Sequence, residues 1–221
     1  MTRFFDILLS FIAILILLPL FVLISLILLL TGEHAVFYLQ ERIGRKEKPF
    51  RVVKFVTMVR NSENMKGGLV TQKNDTRVLP VGRFLRKTKI NELPQLFNVF
   101  IGQMSFVGPR PQAPQHYSLY NEKQREAISK QRPGITGIGS IIFRNEEKLL
   151  ENSGMDHSEF HDKVITPYKG DLEIWYSCHK SLGLYLKILF WTFIVIFFNT
   201  NKWKNGFRDI PAPPQKLDGM I

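Results

Sequence analysis

The pattern of hydrophobic and polar positions divides the chain into a long apolar start and a mixed remainder. No charged residue occurs from Ile7 to Leu30, and about 24 residues at about 1.5 Å each form a helix of about 36 Å, long enough to span a bilayer. A secretory signal peptide has a shorter apolar region followed by a small-residue cleavage site, which Thr31-Gly32-Glu33-His34 does not provide. The pattern therefore predicts a retained membrane anchor.

Pro19 lies near the middle of this apolar run, where a proline removes one backbone hydrogen bond and clashes with the preceding turn. A straight helix would place Arg3 and the basic cluster between Arg42 and Lys54 on opposite sides of the membrane, and the positive-inside bias would put that cluster in the cytoplasm. A chain that turns back at Pro19 would keep both ends cytoplasmic. The residues alone permit both arrangements.

Shorter patterns follow the anchor. Residues 35–40 and 50–55 are rich in β-branched and aromatic side chains and predict a hairpin. Helical spacing predicts helices over residues 81–88, 92–100, 117–131, 146–150, 157–165 and 184–198, the last being interfacial or packed in the core. Residues 61–75 and 133–139 are interpreted as loops, the first of them mobile and able to cover a site.

Charge and cysteine content narrow the class of partner. The formal net charge is +11, and residues 1–30 contribute nothing to it because Arg3 and Asp6 cancel. Such an excess attracts nucleic acid, anionic lipid surfaces and phosphorylated small molecules alike. The sequence lacks the RNA-binding and zinc-finger patterns, which together with the anchor argues against nucleic acid. The lone Cys178 excludes an internal disulfide and fits a reducing compartment.

The stretch from Arg83 to Arg110 carries the most chemical information. Asn91 and Glu92 lie at a predicted helix start, where the dipole and unpaired N–H groups favour anions. The prolines on either side of Arg110 hold it in a rigid extended segment. Arginine forks bind phosphate bidentately, and a carboxylate among cations can hold a metal ion or act as nucleophile or base. These residues favour phosphate chemistry, with a basic face docked on anionic lipid as the alternative.

Other candidate motifs are weaker. His157 and His161 are four residues apart but lack the glutamate that must follow the first histidine of a zinc-protease pattern, so a surface pair is favoured. The glycines of residues 133–139 are not followed by the lysine and hydroxyl residue of a phosphate-binding loop. Glu146 and Glu147 are interpreted as a solvated helix start rather than as added carboxylates of a site.

A series of short motifs runs along the chain to about residue 190. They are Phe4-Phe5-Asp6-Ile7, Pro19, Gln40-Glu41-Arg42-Ile43-Gly44, Lys54-Phe55-Val56-Thr57-Met58, Asp75-Thr76-Arg77, Gly82-Arg83-Phe84-Leu85-Arg86-Lys87-Thr88, Asn91-Glu92-Leu93-Pro94-Gln95-Leu96-Phe97-Asn98-Val99, Gly102-Gln103-Met104-Ser105-Phe106-Val107-Gly108-Pro109-Arg110-Pro111 and Arg132-Pro133-Gly134-Ile135-Thr136-Gly137. In order and spacing they resemble the bacterial sugar transferases of the monotopic phosphoglycosyl transferase type.

The resemblance implies a function. A member of this family transfers a sugar 1-phosphate from a UDP-sugar to a polyprenyl (undecaprenyl) phosphate and releases UMP, which initiates a surface glycan such as O-antigen, capsule, exopolysaccharide or the glycan of a glycoprotein. The reaction uses Mg²⁺ and takes place at the cytoplasmic face of the bacterial inner membrane. Membrane lipid is a further partner, and no motif argues for or against a homodimer.

The resemblance also implies an architecture. It is a small, helix-rich α/β cytoplasmic domain over residues 33–198 with interfacial helices, preceded over residues 1–32 by a re-entrant membrane helix hairpin broken at Pro19 and followed by a flexible tail over residues 199–221.

Site residues are implied as well. Glu92 and Asn91 occupy the catalytic positions, with Glu92 as the Mg²⁺ ligand, and phosphate binding falls to Lys54, Arg86, Arg110 and Arg144. The residues that shape the site are Pro19, Thr57, Asp75, Pro109, Pro111, Pro133, Gly134, Thr136 and Gly137.

The chain departs from the family pattern at its most reactive position. Asn91 stands where the family has a nucleophilic aspartate, and a neutral amide is a very poor phosphoryl nucleophile. Glu92 then either attacks in its place or only holds Mg²⁺ while the acceptor phosphate attacks directly; otherwise the chain is a catalytically impaired, membrane-docked homologue that binds partners. Val56, Phe143 and Tyr185 also differ from the residues usual in the family, which indicates a divergent subgroup.

Overall fold

A computed structural model describes residues 2–65, 75–198, 206–207 and 209–221 of the protein. Its helices and strands, in chain order, are α1 Thr2–Leu30, β1 Phe37–Ile43, β2 Pro49–Phe55, α2 Pro80–Lys87, α3 Gln95–Ile101, β3 Ser105–Val107, α4 Pro114–Tyr117, α5 Glu122–Ser129, β4 Gly134–Thr136, α6 Ile138–Ile142, α7 Glu146–Asn152, α8 His157–Phe160, α9 Thr166–His179 and α10 Leu182–Phe198. The structure is thus a helix-rich α/β fold with one long apolar helix at its N-terminus, which confirms that part of the prediction.

The chain forms two compact units. The larger unit comprises Met1–Asp6, Arg42–Phe50 and Gly102–Ile221, and the smaller unit comprises Ile7–Glu41 and Arg51–Ile101.

Helix α1 is uninterrupted from Thr2 to Leu30 and contains Pro19. By length and composition it is apolar enough to cross a membrane. Most of its large side chains are exposed, whereas Phe21, Ile24 and Leu28 on its second half are buried in the smaller unit. The re-entrant turn implied by the sequence stays a prediction.

The predicted hairpin is confirmed, since β1 and β2 form a two-stranded sheet. Residues 37–41 and 51–55 of this sheet belong to the smaller unit. Asn98 of α3 is 1% exposed and ties this helix to β2. Its amide nitrogen donates to the Arg51 carbonyl at 2.8 Å, and its oxygen accepts from the Val53 N–H at 3.0 Å. Aromatic contacts complete the core, with the ring of Phe21 lying 5.7 Å from that of Phe55.

In the larger unit, β3 and β4 form a parallel pair with Ser105 opposite Gly134 and Val107 opposite Thr136. The interpretation of residues 133–139 as a loop is therefore wrong, because β4 and the start of α6 occupy most of that segment. A three-residue strand is stabilised by a partner that is distant in sequence, and local glycine content does not reveal that partner.

The predicted helix over residues 117–131 is also corrected. The structure ends α4 at Tyr117 and begins α5 at Glu122. Asn121 caps α5 by accepting from the Gln124 N–H at 3.0 Å, while the Gln124 side chain accepts from the Asn121 N–H at 3.2 Å. This reciprocal cap fixes the helix start within the predicted segment.

The core of the larger unit is formed mainly by α6, α9 and α10. Its most buried side chains include Ile138, Leu172 and Ile188. Leu217, from the segment that the sequence predicts to be a flexible tail, is 0% exposed in the same cluster, and the Tyr168 hydroxyl donates to the Pro211 carbonyl at 2.9 Å. The proline-rich composition of residues 211–214 does not indicate this packing.

Helix α10 has one buried and one exposed apolar face. Tyr185 and Ile188 are fully buried, whereas Phe190, Phe193 and Phe197 are more than half exposed. The predicted helix over residues 184–198 is thus confirmed. Its exposed aromatic face is of the kind found on interfacial helices, and its position at a membrane stays a prediction.

Candidate active site

The predicted site residues fall into both units, and each group is described within its own unit. The smaller unit contains Pro19, Lys54, Thr57, Asp75, Arg86, Asn91 and Glu92, and the larger unit contains Pro109, Arg110, Pro111, Pro133, Gly134, Thr136, Gly137 and Arg144.

Asn91 and Glu92 lie on a single 3₁₀ turn, Ile90–Glu92, rather than at an α-helix start. Helix α3 begins only at Gln95, so the predicted helix over residues 92–100 starts three residues too early. The turn follows Lys89, whose φ of 59° reverses the chain after α2. This short turn, and not the start of an α-helix, carries the two predicted catalytic residues.

Asn91 is the polar residue of the turn whose burial is energetically unfavourable. Its side chain is buried, with 7% of the residue exposed, and its Oδ1 has no hydrogen-bond partner among the described residues. A buried acceptor without a donor costs about 1–3 kcal/mol. Such an oxygen is suited to accept a hydrogen bond from a substrate or to contact a cation, and the neighbouring Glu92 is half-buried beside it in sequence.

Arg86 and Thr57, two of the predicted site residues, lie close together in the smaller unit. The Nη1 atom of Arg86 lies 3.5 Å from the Thr57 hydroxyl. Gly82 makes this approach possible, because a Cβ atom at that position would lie 2.2 Å from the Thr57 carbonyl oxygen. Sequence reasoning assigned no role to Gly82, although a glycine within a helical pattern can signal such a close contact.

Lys54 and Asp75 both have protein partners. The Lys54 ammonium donates to Oε1 of Gln40 at 2.9 Å across the hairpin. Asp75 accepts two bonds from the Arg77 guanidinium, at 2.9 and 2.6 Å, and Arg77 also donates to the Ser62 carbonyl at 2.7 Å. Asp75 is thus held by Arg77, a buried residue to which the sequence assigned no role, and the site-shaping role of Asp75 stays a prediction. Residues 66–74 of the predicted covering loop lie outside the described residues.

In the larger unit, the backbone around Arg110 is held against β4. The Gly134 N–H donates to the Pro109 carbonyl at 2.8 Å, and the Gly108 N–H donates to the Thr136 carbonyl at 2.9 Å. A Cβ atom on Gly134 would lie 2.2 Å from the Gly108 nitrogen. The predicted site-shaping residues of the two segments are thus adjacent, and they fix the main chain on which Arg110 is presented.

Arg144 interacts with α10. Its Nη2 donates to the Ile196 carbonyl at 3.2 Å, one of the carbonyls near the C-terminus of that helix. Basic side chains commonly satisfy such carbonyls. The contact gives Arg144 a structural partner that the resemblance did not indicate.

Glu146 begins helix α7, as the sequence predicts, but its side chain is only 28% exposed and has two basic partners. Its two oxygens lie 2.8 Å from the Lys169 ammonium and 3.6 Å from Nε2 of His161. Burial lowers the pKa of Lys169, and the charge of Arg110 lowers it further while Glu146 opposes the change. Arg110 therefore belongs to the same electrostatic environment as Glu146 and Lys169. The side chain of Glu147 lies outside the described part of the structure.

Glu173 is buried next to this group. One of its carboxylate oxygens, Oε2, has no partner among the described residues. Burial raises the pKa of Glu173 to about 8, and the positive charge of Lys169 opposes the rise. Glu173 is therefore protonated in the folded protein at a pH where an exposed glutamate is ionised.

This pKa shift predicts a pH-dependent stability. Between the unfolded pKa of 4.5 and about 8, the unfolded chain loses a proton that the folded chain keeps, so rising pH favours unfolding by up to about 1.4 kcal/mol per pH unit. Glu173→Gln removes this term. We expect the melting temperature of the variant, relative to wild type, to rise from pH 5 to pH 8, measured by differential scanning fluorimetry in detergent. Glu122→Gln, an exposed control in the same unit, should show no such trend, and a pH-independent difference for Glu173→Gln would contradict the assignment.

The structure also bears on the Mg²⁺ implied by the sequence. Within the described residues there is no cluster of three or more His, Cys, Asp or Glu side chains that could hold a metal ion. Mg²⁺, however, needs only one or two protein oxygens when substrate phosphates supply the remaining ligands. The Glu92 carboxylate and the unpartnered Oδ1 of Asn91 are oxygens of that kind, so the residues fit a substrate-dependent site.

Comparison with known proteins identifies relatives. The family model described as bacterial sugar transferase matches residues 1–199. A UDP-glucose:undecaprenyl-phosphate glucose-1-phosphate transferase of Klebsiella pneumoniae is 35% identical over 210 residues, covering 91% of this chain and 41% of the relative. The exopolysaccharide production protein ExoY of Rhizobium meliloti (strain 1021) is 37% identical over 168 residues, covering 70% and 74%.

A third relative is the UDP-N-acetylgalactosamine-undecaprenyl-phosphate N-acetylgalactosaminephosphotransferase of Aeromonas hydrophila, 33% identical over 192 residues and covering 86% of this chain and 42% of the relative. The chain thus spans about two fifths of the length of the Klebsiella and Aeromonas proteins and about three quarters of ExoY.

Proposed function

The chain belongs to the bacterial sugar transferase family, and from this premise we propose that it transfers a sugar 1-phosphate from a UDP-sugar to undecaprenyl phosphate, giving a polyprenyl diphosphate sugar and UMP. The names of two relatives specify glucose 1-phosphate and N-acetylgalactosamine phosphate as the groups that those proteins transfer. A UDP-hexose or UDP-N-acetylhexosamine is therefore the donor class, and the product initiates a surface glycan.

The observation that carries the proposal is the turn of Asn91 and Glu92. A buried amide oxygen without a partner next to a half-buried carboxylate is poorly explained as a structural feature, because replacement by apolar groups would remove the cost of burial. As part of a site for a phosphorylated substrate, the same oxygen gains a partner when the substrate binds. Arg86 and Lys54 of the same unit supply positive charge for the diphosphate.

In the proposed reaction the acceptor phosphate attacks the donor directly. An oxygen of undecaprenyl phosphate forms a bond to the β-phosphorus of the UDP-sugar, and the bond from that phosphorus to the bridging oxygen breaks. The bridging oxygen leaves with the electron pair as part of UMP. Direct attack is favoured over a covalent intermediate because Asn91 cannot act as a phosphoryl nucleophile, and Glu92 serves to orient and stabilise the reacting groups.

The protein groups contribute through position and charge. In the smaller unit, Arg86 neutralises the diphosphate through its planar fork. In the larger unit, the rigid backbone on both sides of Arg110 limits the entropy that this side chain loses when it binds a phosphate. Glu92 and Asn91 would hold Mg²⁺, which when bound supplies charge neutralisation at the transferred phosphoryl group.

Release of UMP tests the proposed function. Purified protein is incubated with undecaprenyl phosphate, Mg²⁺ and each member of a panel of UDP-hexoses and UDP-N-acetylhexosamines, and UMP is measured with a coupled luminescence assay. Turnover with at least one donor, dependent on acceptor, is expected. No turnover with any donor of an adequate panel would instead identify the chain as an impaired homologue that acts through partners.

For the membrane arrangement, we propose a re-entrant α1 with both ends on the cytoplasmic side of the inner membrane. Asp6, at the start of the apolar run, accepts bonds from the Ser105 hydroxyl and the Phe106 N–H at 2.9 and 3.0 Å. Between His34 and Ser105 the described chain contains no second helix long and apolar enough to cross. A helix that crossed the bilayer would separate Asp6 from these partners. Pro19 is the position at which the chain would turn.

This arrangement predicts the accessibility of introduced cysteines. In a Cys178→Ser background, Phe4→Cys and Thr31→Cys place a thiol at each end of α1, both at exposed positions. We expect a membrane-impermeant maleimide to label neither in intact spheroplasts and both after lysis. Wild-type Cys178, which is exposed, serves as the cytoplasmic control. Labelling of Phe4→Cys alone in intact spheroplasts would establish a straight span.

A further inference from the structure

The larger unit contains a cavity that the proposed reaction does not use. Its volume is about 90 Å³, several times what one water molecule requires. Four of its lining side chains are cationic, namely Arg45, Lys130, Arg132 and Lys180. Asp6 is its only acidic lining residue among those described, and Thr2, Ser105, Val107, Tyr176 and Tyr185 complete the wall.

The single carboxylate of the cavity is already engaged. Oδ1 of Asp6 accepts hydrogen bonds from the Ser105 hydroxyl at 2.9 Å, from the Phe106 N–H at 3.0 Å and from the Tyr185 hydroxyl at 2.9 Å. Asp6 is 1% exposed, so it lies in the wall rather than in the open space. Asp6 opposes the lowering of the pKa of Arg132 and Lys180, but one carboxylate cannot balance Arg45, Arg132 and Lys180 together.

The cations are held in place by neutral groups. Nε of Arg45 donates to the Lys130 carbonyl at 3.2 Å, and Nε of Arg132 donates to the Gly102 carbonyl at 3.0 Å. The Lys180 ammonium donates to Oε1 of Gln131. In the described chain no acidic side chain pairs with Arg45, Arg132 or Lys180, and Lys130 alone has one, Glu126, at 2.7 Å.

Burial and mutual repulsion disfavour the charged forms of the basic side chains around this cavity when no anion is bound. Burial lowers the pKa of Lys180, and the charges of Arg45 and Arg132 lower it further. The pKa of Arg132 is lowered in the same way by burial and then by Arg45. Like charges gathered around a cavity repel each other unless an anion joins them. The two arginines bring planar forks, which match the oxygens of a phosphate.

We propose that this cavity, the basic pocket of Arg45, Lys130, Arg132 and Lys180, is a binding site for a phosphate group, carried either by an anionic phospholipid headgroup or by a soluble phosphate. A lipid headgroup could reach the cavity from the membrane, because Thr2, the first described residue of the apolar helix α1, lines it. The site is assigned independently of the transfer reaction, and none of its residues belongs to the predicted catalytic set.

Binding measurements on the purified full chain in a non-ionic detergent test the proposal. Native mass spectrometry counts bound phosphatidylglycerol, with phosphatidylcholine as the zwitterionic comparison, and isothermal titration calorimetry measures inorganic phosphate. The test variant is Arg45→Gln combined with Lys180→Gln. The control is Lys123→Gln combined with Lys148→Gln, which removes the same charge from exposed positions of the same unit.

We expect the pocket variant to weaken binding of one probe at least about tenfold, because two of the four charge-assisted contacts are lost, while the control stays within about twofold of wild type. Preference for phosphatidylglycerol over phosphatidylcholine identifies the lipid source, and binding of inorganic phosphate alone identifies a soluble one. Equal losses in the two double variants, or no binding of either probe to wild type, would overturn the proposal. Arg86→Gln, which alters the proposed active site, should leave this binding unchanged even if it removes turnover.

Discussion

Replacement of Glu92 by Gln is expected to lower UMP release by roughly a thousandfold or more, the scale at which loss of an essential charged group acts on a transition state. Glutamine keeps the shape of the side chain and removes only its charge. Glu92 is the acidic member of the turn that presents the unpartnered Asn91 oxygen. No other residue of that turn can replace the charge, so the loss should appear in the maximal rate and not only in the apparent affinity for donor.

The control for this prediction is Glu33→Gln in the same unit. Glu33 pairs with Arg60 at 3.4 Å, and the Arg60 side chain is 73% exposed, so this substitution should change stability and activity little. Rates are measured over a range of Mg²⁺ concentrations. Turnover of Glu92→Gln within tenfold of wild type at saturating Mg²⁺ would remove Glu92 from the reaction and leave the proposed site without its carboxylate.

Much of the fold was predictable because it follows from local patterns. The apolar helix α1, the β1–β2 hairpin and α2 each carry a strong period or a clear boundary signal. The 3₁₀ turn at Asn91 was missed because Pro94 is acceptable in the first turn of a helix starting at Glu92 and equally just before one starting at Gln95. Sequence spacing alone could not separate these two starts.

The pairing of β3 with β4 could not be predicted from local sequence patterns. Residues 105–107 and 134–136 form three-residue strands, too short to show an alternating pattern, and each is stabilised by the other across the intervening α4 and α5. Glycine at 134 indicated a turn, whereas its actual role is to admit the Gly108 backbone at a distance that any Cβ would prevent.

Some residues of the candidate site were likewise predictable from the sequence, and others were not. Residue chemistry singled out Asn91, Glu92 and Arg110 because their types and neighbours were unusual. The other carboxylates owe their properties to burial, which residue types alone do not reveal. Glu146 pairs with Lys169, and Glu173 is buried with one oxygen that has no partner among the described residues. The sequence did not reveal the basic pocket either, since its four cations come from three separate segments of the chain, around residues 45, 130–132 and 180.

The substitution Asn91→Asp is expected to change the kinetic mechanism, and it bears on the departure that most distinguishes this chain from the family that it resembles. Wild type should release UMP only when acceptor is present, as direct attack requires. The aspartate restores the nucleophile implied by the family pattern, so the variant should release about one equivalent of UMP without acceptor and retain the sugar phosphate covalently. Acid quenching followed by intact-protein mass spectrometry detects that adduct.

A second consequence of Asn91→Asp follows from burial. The new carboxylate would lie at a site that is 7% exposed, next to Glu92, and two neighbouring carboxylates destabilise a fold unless a cation joins them. We expect a lower melting temperature than wild type in EDTA and recovery of most of the difference in Mg²⁺. The isosteric Asn98→Asp, at a buried position occupied by backbone partners, should be destabilised without recovery. If Mg²⁺ rescued both variants equally, or neither, position 91 would not be part of a cation site, and the burial of its unpartnered oxygen would need another explanation.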